Sequence, residues 1–162
     1  MCGIIGIQNN SESAMLAYMG LYAQQHRGQE GAGIVSSDGT HLYRHMGQGL
    51  VSDVFSDPNV FDGLTGNSAI GHVRYSTTGD SDKKNVGPLT FNMGDYYLSI
   101  AHNGNLVNIE DLRVNLQEEG ALFQTATDTE IIIRLIAREK GNNLAEKVEG
   151  ALNKIEGAFS LL

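Results

Sequence analysis

An α+β fold is predicted by three features of this 162-residue chain. Short apolar runs bounded by glycine and polar residues recur through the first half, the pattern of buried strands. Segments of helical period, opened by Asn, Asp or Thr, fill most of the second half. A hydrophobic share of 41% with 19% charged residues places the chain among globular rather than disordered proteins.

The elements follow in order. Residues 3–8 read as a short buried strand. Ser11 or Ser13 then opens an amphipathic helix, with Met15, Leu16, Met19 and Tyr22 among its apolar positions, ending before Gly28. Strands are expected over residues 31–37 and 42–46, joined by a turn at Ser37-Asp38-Gly39. Residues 47–68 read as loop-rich. Residues 69–75 and 97–102 are the next strands, separated by a polar stretch, 77–86. Asn108 and Asp111 bracket one helix start, and Thr127-x-x-Glu130 has the form of a capping box for another. That helix runs through Ile131, Ile132, Leu135 and Ile136, a core cluster, to a stop at Gly141. Asn143-x-x-Glu146 starts a third helix, with Leu144, Val148, Leu152 and Ile155 on one stripe. Residues 157–162 are a strand-like apolar run.

Composition excludes several classes of function. The formal net charge is −8, shared as −4 by residues 1–81 and −4 by residues 82–162. No basic face is therefore masked by an acidic tail, and binding of nucleic acid through phosphate neutralisation is not expected. No run of apolar residues is long enough to span a membrane. The apolar start of the chain lacks the basic segment of a signal peptide, so the expected location is the cytoplasm. One cysteine, Cys2, excludes an internal disulfide framework and any cysteine-built zinc or iron–sulfur site in this chain. Glycine is abundant, at 20 residues against 2 prolines. Without a collagen-like period, those glycines serve turns and close backbone approaches.

Candidate chemistry starts at Cys2. Removal of Met1 would leave Cys2 at the N-terminus, where an α-amine of pKa roughly 7.7–8.0 can serve as base for a thiol of about 8.5. Nucleophile and base then share one residue, and no histidine partner is needed. The alternative is a small buried hydrophobe in second position. Asn103 and the backbone N–H of Gly104 suit a developing oxyanion, although Asn103-Gly104 also reads as an ordinary tight turn. Arg74, at the end of a strand, suits a two-point carboxylate clamp or a structural salt bridge. Asp128 lies in the first turn of a helix, where a carboxylate is stabilised in any case. His41 and His45 lack further ligands for a metal. Gly28, Gly31 and Gly33 have the wrong spacing for a nucleotide-binding fingerprint.

Five blocks occur in sequence: Cys2-Gly3-Ile4-Ile5-Gly6-Ile7; Gln25-His26-Arg27-Gly28-Gln29-Glu30-Gly31-Ala32-Gly33-Ile34; Ile70-Gly71-His72-Val73-Arg74-Tyr75-Ser76-Thr77-Thr78-Gly79; Ala101-His102-Asn103-Gly104-Asn105-Leu106; and Thr127-Asp128-Thr129-Glu130. Together they resemble the glutaminase domain of class II glutamine amidotransferases, which are N-terminal nucleophile hydrolases. The Gln-His-Arg-Gly-Gln-Glu block and Gly49-Leu50-Val51-Ser52-Asp53-Val54-Phe55 resemble the purine-pathway branch of that family.

The resemblance implies a four-layer αββα sandwich, incomplete at its C-terminus, with residues 1–162 forming the N-terminal portion of a glutaminase domain. It implies that Cys2 attacks the side-chain amide of glutamine while Asn103 and Gly104 hold the oxyanion. Arg74 would bind the substrate carboxylate and Asp128 its ammonium group. Arg27 and Gly28 would line the site, and Tyr75, Thr77 and the stretch to Lys84 would close over the substrate. With only Met1 ahead of Cys2, no self-cleaved propeptide is expected. The ammonia would aminate phosphoribosyl pyrophosphate, made available by a phosphoribosyltransferase domain of the full-length chain that is absent here. Mg and phosphoribosyl pyrophosphate belong to that missing domain, and no cofactor is expected in this chain. A homo-oligomer is implied at full length. Two other readings stay open: the glutaminase part of another class II amidotransferase, and a catalytically inert fragment that only binds.

Overall fold

The computed structural model describes residues 2–75 and 83–162. They fall into two compact units, Met1–Asn103 with Ser160–Leu162, and Gly104–Phe159. The mixture of helix and antiparallel sheet bears out the α+β expectation.

The first unit is built on a four-stranded antiparallel sheet. Its strands are β1 (Gly3–Ile7), β2 (Gly31–Ser37), β3 (Leu42–Gln48) and β4 (Ser68–Arg74), in the order β1-β4-β2-β3. Helix α1 (Ser13–Ala23) packs on one face of β1, β4 and β2. Strand alternation turns Ala32, Ile34, Ala69 and Val73 toward that face, where they join Ala14, Ala17 and Leu21 in the core. The helix forms where expected but buries a different stripe. Ser13, Ala14, Ala17 and Leu21 are buried, whereas Met15, Met19 and Tyr22 are exposed. Small residues win because the sheet lies close: a Cβ on Gly20 would run into the Ile5 side chain.

The loop-rich stretch holds two short helices, α2 (Val51–Val54) and α3 (Val60–Gly63). Val51, Phe55 and Leu64 complete the core, and the Phe55 and Phe61 rings pack around Tyr18. On the other sheet face, residues 86–87 lie directly on the strands: Val86 abuts Gly31 and the Gly87 carbonyl abuts Gly33. A hairpin of β5 (Leu89–Asn92) and β6 (Tyr97–Ile100) follows. The sequence pattern missed β5, because its polar Thr90 and Asn92 hide the period.

β7 (His102–Leu106) pairs with β8 (Gly157–Leu161). In the second unit helix α4 (Ile109–Glu118) packs on α5 (Asp128–Arg138), which packs on α6 (Leu144–Leu152). The expected strand over 97–102 is broken at Ala101, whose N–H and carbonyl both pair with Leu162. As expected, Ile131, Ile132, Leu135 and Ile136 are all buried, and α6 begins on an Asn143 cap whose Oδ1 accepts the Glu146 N–H at 2.9 Å. The expected stripe of α6 does not hold at its ends: Leu144 is exposed, and Ile155 is buried but lies beyond the helix, which stops at Leu152.

The capping box at Thr127 does not form. Thr127 is the N-cap of α5 but its side chain accepts no helix N–H. Its hydroxyl pairs with the Thr125 hydroxyl at 2.9 Å, and Glu130 reaches past Thr127 to the N–H groups of Gln124 and Thr125. Burial raises the Glu130 pKa, but hydrogen bonds from Arg134, those two N–H groups and the Thr125 hydroxyl outweigh it, leaving the carboxyl below its ordinary value.

Candidate active site

Antiparallel pairing decides what surrounds Cys2. Gly3 of β1 sits opposite Val73 of β4, so Cys2, one residue earlier, emerges beside the end of β4 at Arg74 and Tyr75. Its thiol donates to the Tyr75 carbonyl at 3.8 Å, and its own carbonyl accepts from Arg27 Nε at 3.0 Å. Cys2 is half-buried rather than sealed in the core, so the reading as a mere buried hydrophobe does not describe it.

Arg27 is delivered by a single 3-10 turn, Gln25–Arg27, that follows α1. Gln25 secures this turn at both ends of its amide: Nε2 donates to the Gly28 carbonyl at 2.5 Å and Oε1 accepts the Val51 N–H at 2.7 Å. Gly28 then passes flat against β4, where a Cβ would lie 2.6 Å from the Arg74 carbonyl carbon and oxygen. Nothing in local composition singles out Gln25 or explains Gly28; both follow from what the turn meets far along the chain, α2 at Val51 and β4 at Arg74.

Arg74 points away from α1, on the same sheet face as His72, and its Nη1 donates to the Asn85 carbonyl at 2.8 Å. That bond pins one side of the guanidinium. Tyr75 is exposed. Thr77 lies outside the described residues, as does most of the stretch expected to close over a substrate.

Asn103 follows His102 in β7, so the tight-turn alternative for Asn103-Gly104 falls away: both residues are extended strand. Buried His102 meets His72 of β4, whose ring hydrogen-bonds to the His102 backbone. Burial, with Arg74 and His102 nearby, pushes the His72 pKa down to about 4, so this imidazole is neutral near pH 7. In the sequence, His72 carries no signal beyond that of a histidine amid the apolar positions of a strand.

Gly104 and Asp128 belong to the second unit. Gly104 is glycine for a packing reason, since a Cβ would lie 2.5 Å from the Ala158 carbonyl of β8. Asp128 occupies the first position of α5, bracketed by Thr127 and Glu130.

The two histidines set aside as metal ligands part company. His45 Nε2 bonds the Val54 carbonyl at 2.8 Å, and His41 sits 3.5 Å from the Asp38 carboxylate. Among the described residues no group of three or more His, Cys, Asp or Glu could hold a metal ion. No helix of the described residues is long and apolar enough to cross a membrane.

A family model described as a glutamine amidotransferase domain matches residues 60–154. The amidophosphoribosyltransferase of Lacticaseibacillus casei is 42% identical over 161 residues, 99% of this chain and 83% of that protein. That of Staphylococcus aureus strain MRSA252 is 46% identical over 160 residues, 98% of this chain but 32% of the relative. A solved structure described as the allosteric regulatory enzyme of purine biosynthesis matches with a TM-score of 0.94 at 42% identity, covering 100% of this chain and 35% of that one. The chain therefore spans about a third of the last two proteins. At this likeness it shares their fold, in agreement with the expected N-terminal nucleophile hydrolase type.

Proposed function

The chain belongs to the glutamine amidotransferase domain family, and from that premise we propose that it hydrolyses the side-chain amide of glutamine through Cys2. The single observation that carries this reading is the placement of the Cys2 thiol at the open end of β1, beside Arg74 and Tyr75, with its carbonyl held by Arg27. Once Met1 is removed, the free α-amine takes the thiol proton and the thiolate attacks the amide carbon. Asn103 Nδ2 and the Gly104 N–H receive the oxyanion. Collapse of the tetrahedral intermediate breaks the C–N bond; the leaving nitrogen takes the proton back from the α-ammonium and departs as ammonia. Water then cleaves the thioester to glutamate and regenerates the thiol.

Arg74 selects the substrate α-carboxylate and Asp128 its α-ammonium, so recognition rests on charge at both ends of an amino acid. Arg27 and Gly28 line the nucleophile, and Tyr75 stands beside it. The longer relatives bear the name amidophosphoribosyltransferase. On that likeness the ammonia aminates phosphoribosyl pyrophosphate in purine synthesis, on a phosphoribosyltransferase domain of the same polypeptide. Residues 1–162 are then the N-terminal portion of the glutaminase domain, in a cytoplasmic homo-oligomer whose Mg site lies in the other domain.

Intact mass after treatment with a diazoketone analogue of glutamine tests the reading. One adduct is expected, located on Cys2, in protein that has lost Met1. Cys2→Ala, or one extra residue ahead of Cys2, should abolish both adduct and glutamate release. Absence of an adduct from Met1-free protein would instead indicate a module that binds without turnover.

A further inference from the structure

Glu130 is the most heavily bonded side chain in the second unit, and its surroundings say what it holds. The carboxylate is fully buried in the first turn of α5. Oε2 accepts the Thr125 N–H at 2.7 Å, the Thr125 hydroxyl at 2.9 Å and the Gln124 N–H at 3.0 Å. Oε1 accepts Arg134 Nη2 at 2.8 Å and shares the Gln124 N–H at 3.1 Å. Thr125 Oγ1 turns the other way as well, meeting Thr127 Oγ1 at 2.9 Å and accepting the Thr127 N–H at 3.3 Å.

The chain entering α5 is thus folded back and fastened to the helix at two points that straddle Asp128. Thr127 is fastened through Thr125, and Glu130 directly. A buried carboxylate paired with Arg134 still needs donors for its remaining lone pairs, and here those donors come from Gln124 and Thr125, in the loop that enters α5. A cap that only ended the helix would bond the N–H groups of α5 itself, and Thr127 does not.

We propose that Glu130, acting through Thr125, is a positioning residue that sets the placement of Asp128 for the substrate α-ammonium group. The inference rests on the role of Asp128 given above. Replacing Glu130 by Gln keeps the shape but presents an NH₂ to a ring of donors, so the loop must swing and carry Asp128 with it.

The test compares glutamine with glutaramate, which is glutamine without its α-amino group, in steady-state glutaminase assays on the intact protein. Glu130→Gln should raise KM for glutamine roughly tenfold, leave kcat within about threefold, and leave glutaramate kinetics unchanged. Thr125→Val removes one hydroxyl from a half-buried position and should shift the same ratio by about threefold. It decides the matter if Glu130→Gln does not fold. A purely structural role would lower turnover of both substrates equally, without a change in their ratio, and that result overturns the inference. Asp128→Asn separates the two levels. If it abolishes the preference for glutamine while neither Glu130→Gln nor Thr125→Val moves it, the positioning role alone is wrong. If Asp128→Asn leaves the preference intact, the ammonium assignment fails and takes this inference with it.

Discussion

Gly28→Ala perturbs the site through space alone. Gly28 has φ −166° and ψ 131°, extended backbone that alanine adopts without strain. The added Cβ would lie 2.6 Å from the Arg74 carbonyl carbon and oxygen and 2.8 Å from the Val73 carbonyl carbon. Carbon contacts are comfortable at about 3.5–4.0 Å, so the two backbones must separate by about 1 Å. Neither side yields easily, because β4 is paired with both β1 and β2 and the turn is tied to Val51 through Gln25. Overpacking of this kind costs about 1–3 kcal/mol, which is about 2–12 °C in melting temperature for a chain of this size. The greater effect falls on activity. The displaced turn carries Arg27, whose Nε fixes the Cys2 carbonyl at 3.0 Å, and a misplacement of about 1 Å can cost about a hundredfold in rate. Melting curves and glutaminase kcat/KM measure the two effects separately. Gly63→Ala, where a Cβ meets nothing within 4 Å, is the matched control and should be neutral. Wild-type stability and kcat/KM in Gly28→Ala would refute the reasoning.

Two further predictions concern stability. His72, pushed down to about 4 in the folded state, is protonated first in the unfolded chain, whose histidine pKa is about 6.5. Its contribution is therefore complete above about pH 6.5 and lost progressively as the pH falls toward 4, by about 3 kcal/mol in all. Urea unfolding of His72→Gln should show a flatter pH dependence across that window, and a slope equal to wild type would contradict the burial argument. At the start of α6, Asn143→Ala removes the acceptor of the Glu146 N–H and should cost about 1 kcal/mol, or about 2–4 °C. Asn143→Asp should restore most of it, and a melting curve of the alanine variant superposable on wild type would count against the cap.

Much of the architecture was legible locally. The bounds of β2, the Asn143 cap and the core run of α5 follow from alternation, capping chemistry and helical period, each readable within a few residues. Elsewhere local signals named the element but not its partner. The period of α1 is right, yet the sheet chose Ala14, Ala17 and Leu21 over Met15 and Met19, because close packing rewards small residues and period alone is blind to distance. Thr127 and Glu130 had the spacing of a capping box, yet both bond to Thr125, since a buried carboxylate takes the donors that surround it.

The same division runs through the candidate site. By itself the sequence determined the chemical inventory: one thiol in second position, an arginine closing a strand, an Asn-Gly pair, an aspartate opening a helix. Only tertiary structure decided that β1 runs antiparallel to β4, setting the Cys2 thiol against Tyr75 while Arg27 arrives from a turn that needs a glycine to pass. Residue type is a local property. Which backbone lies within 3 Å of which side chain is settled by pairing across tens of residues, where no short-range pattern carries the information.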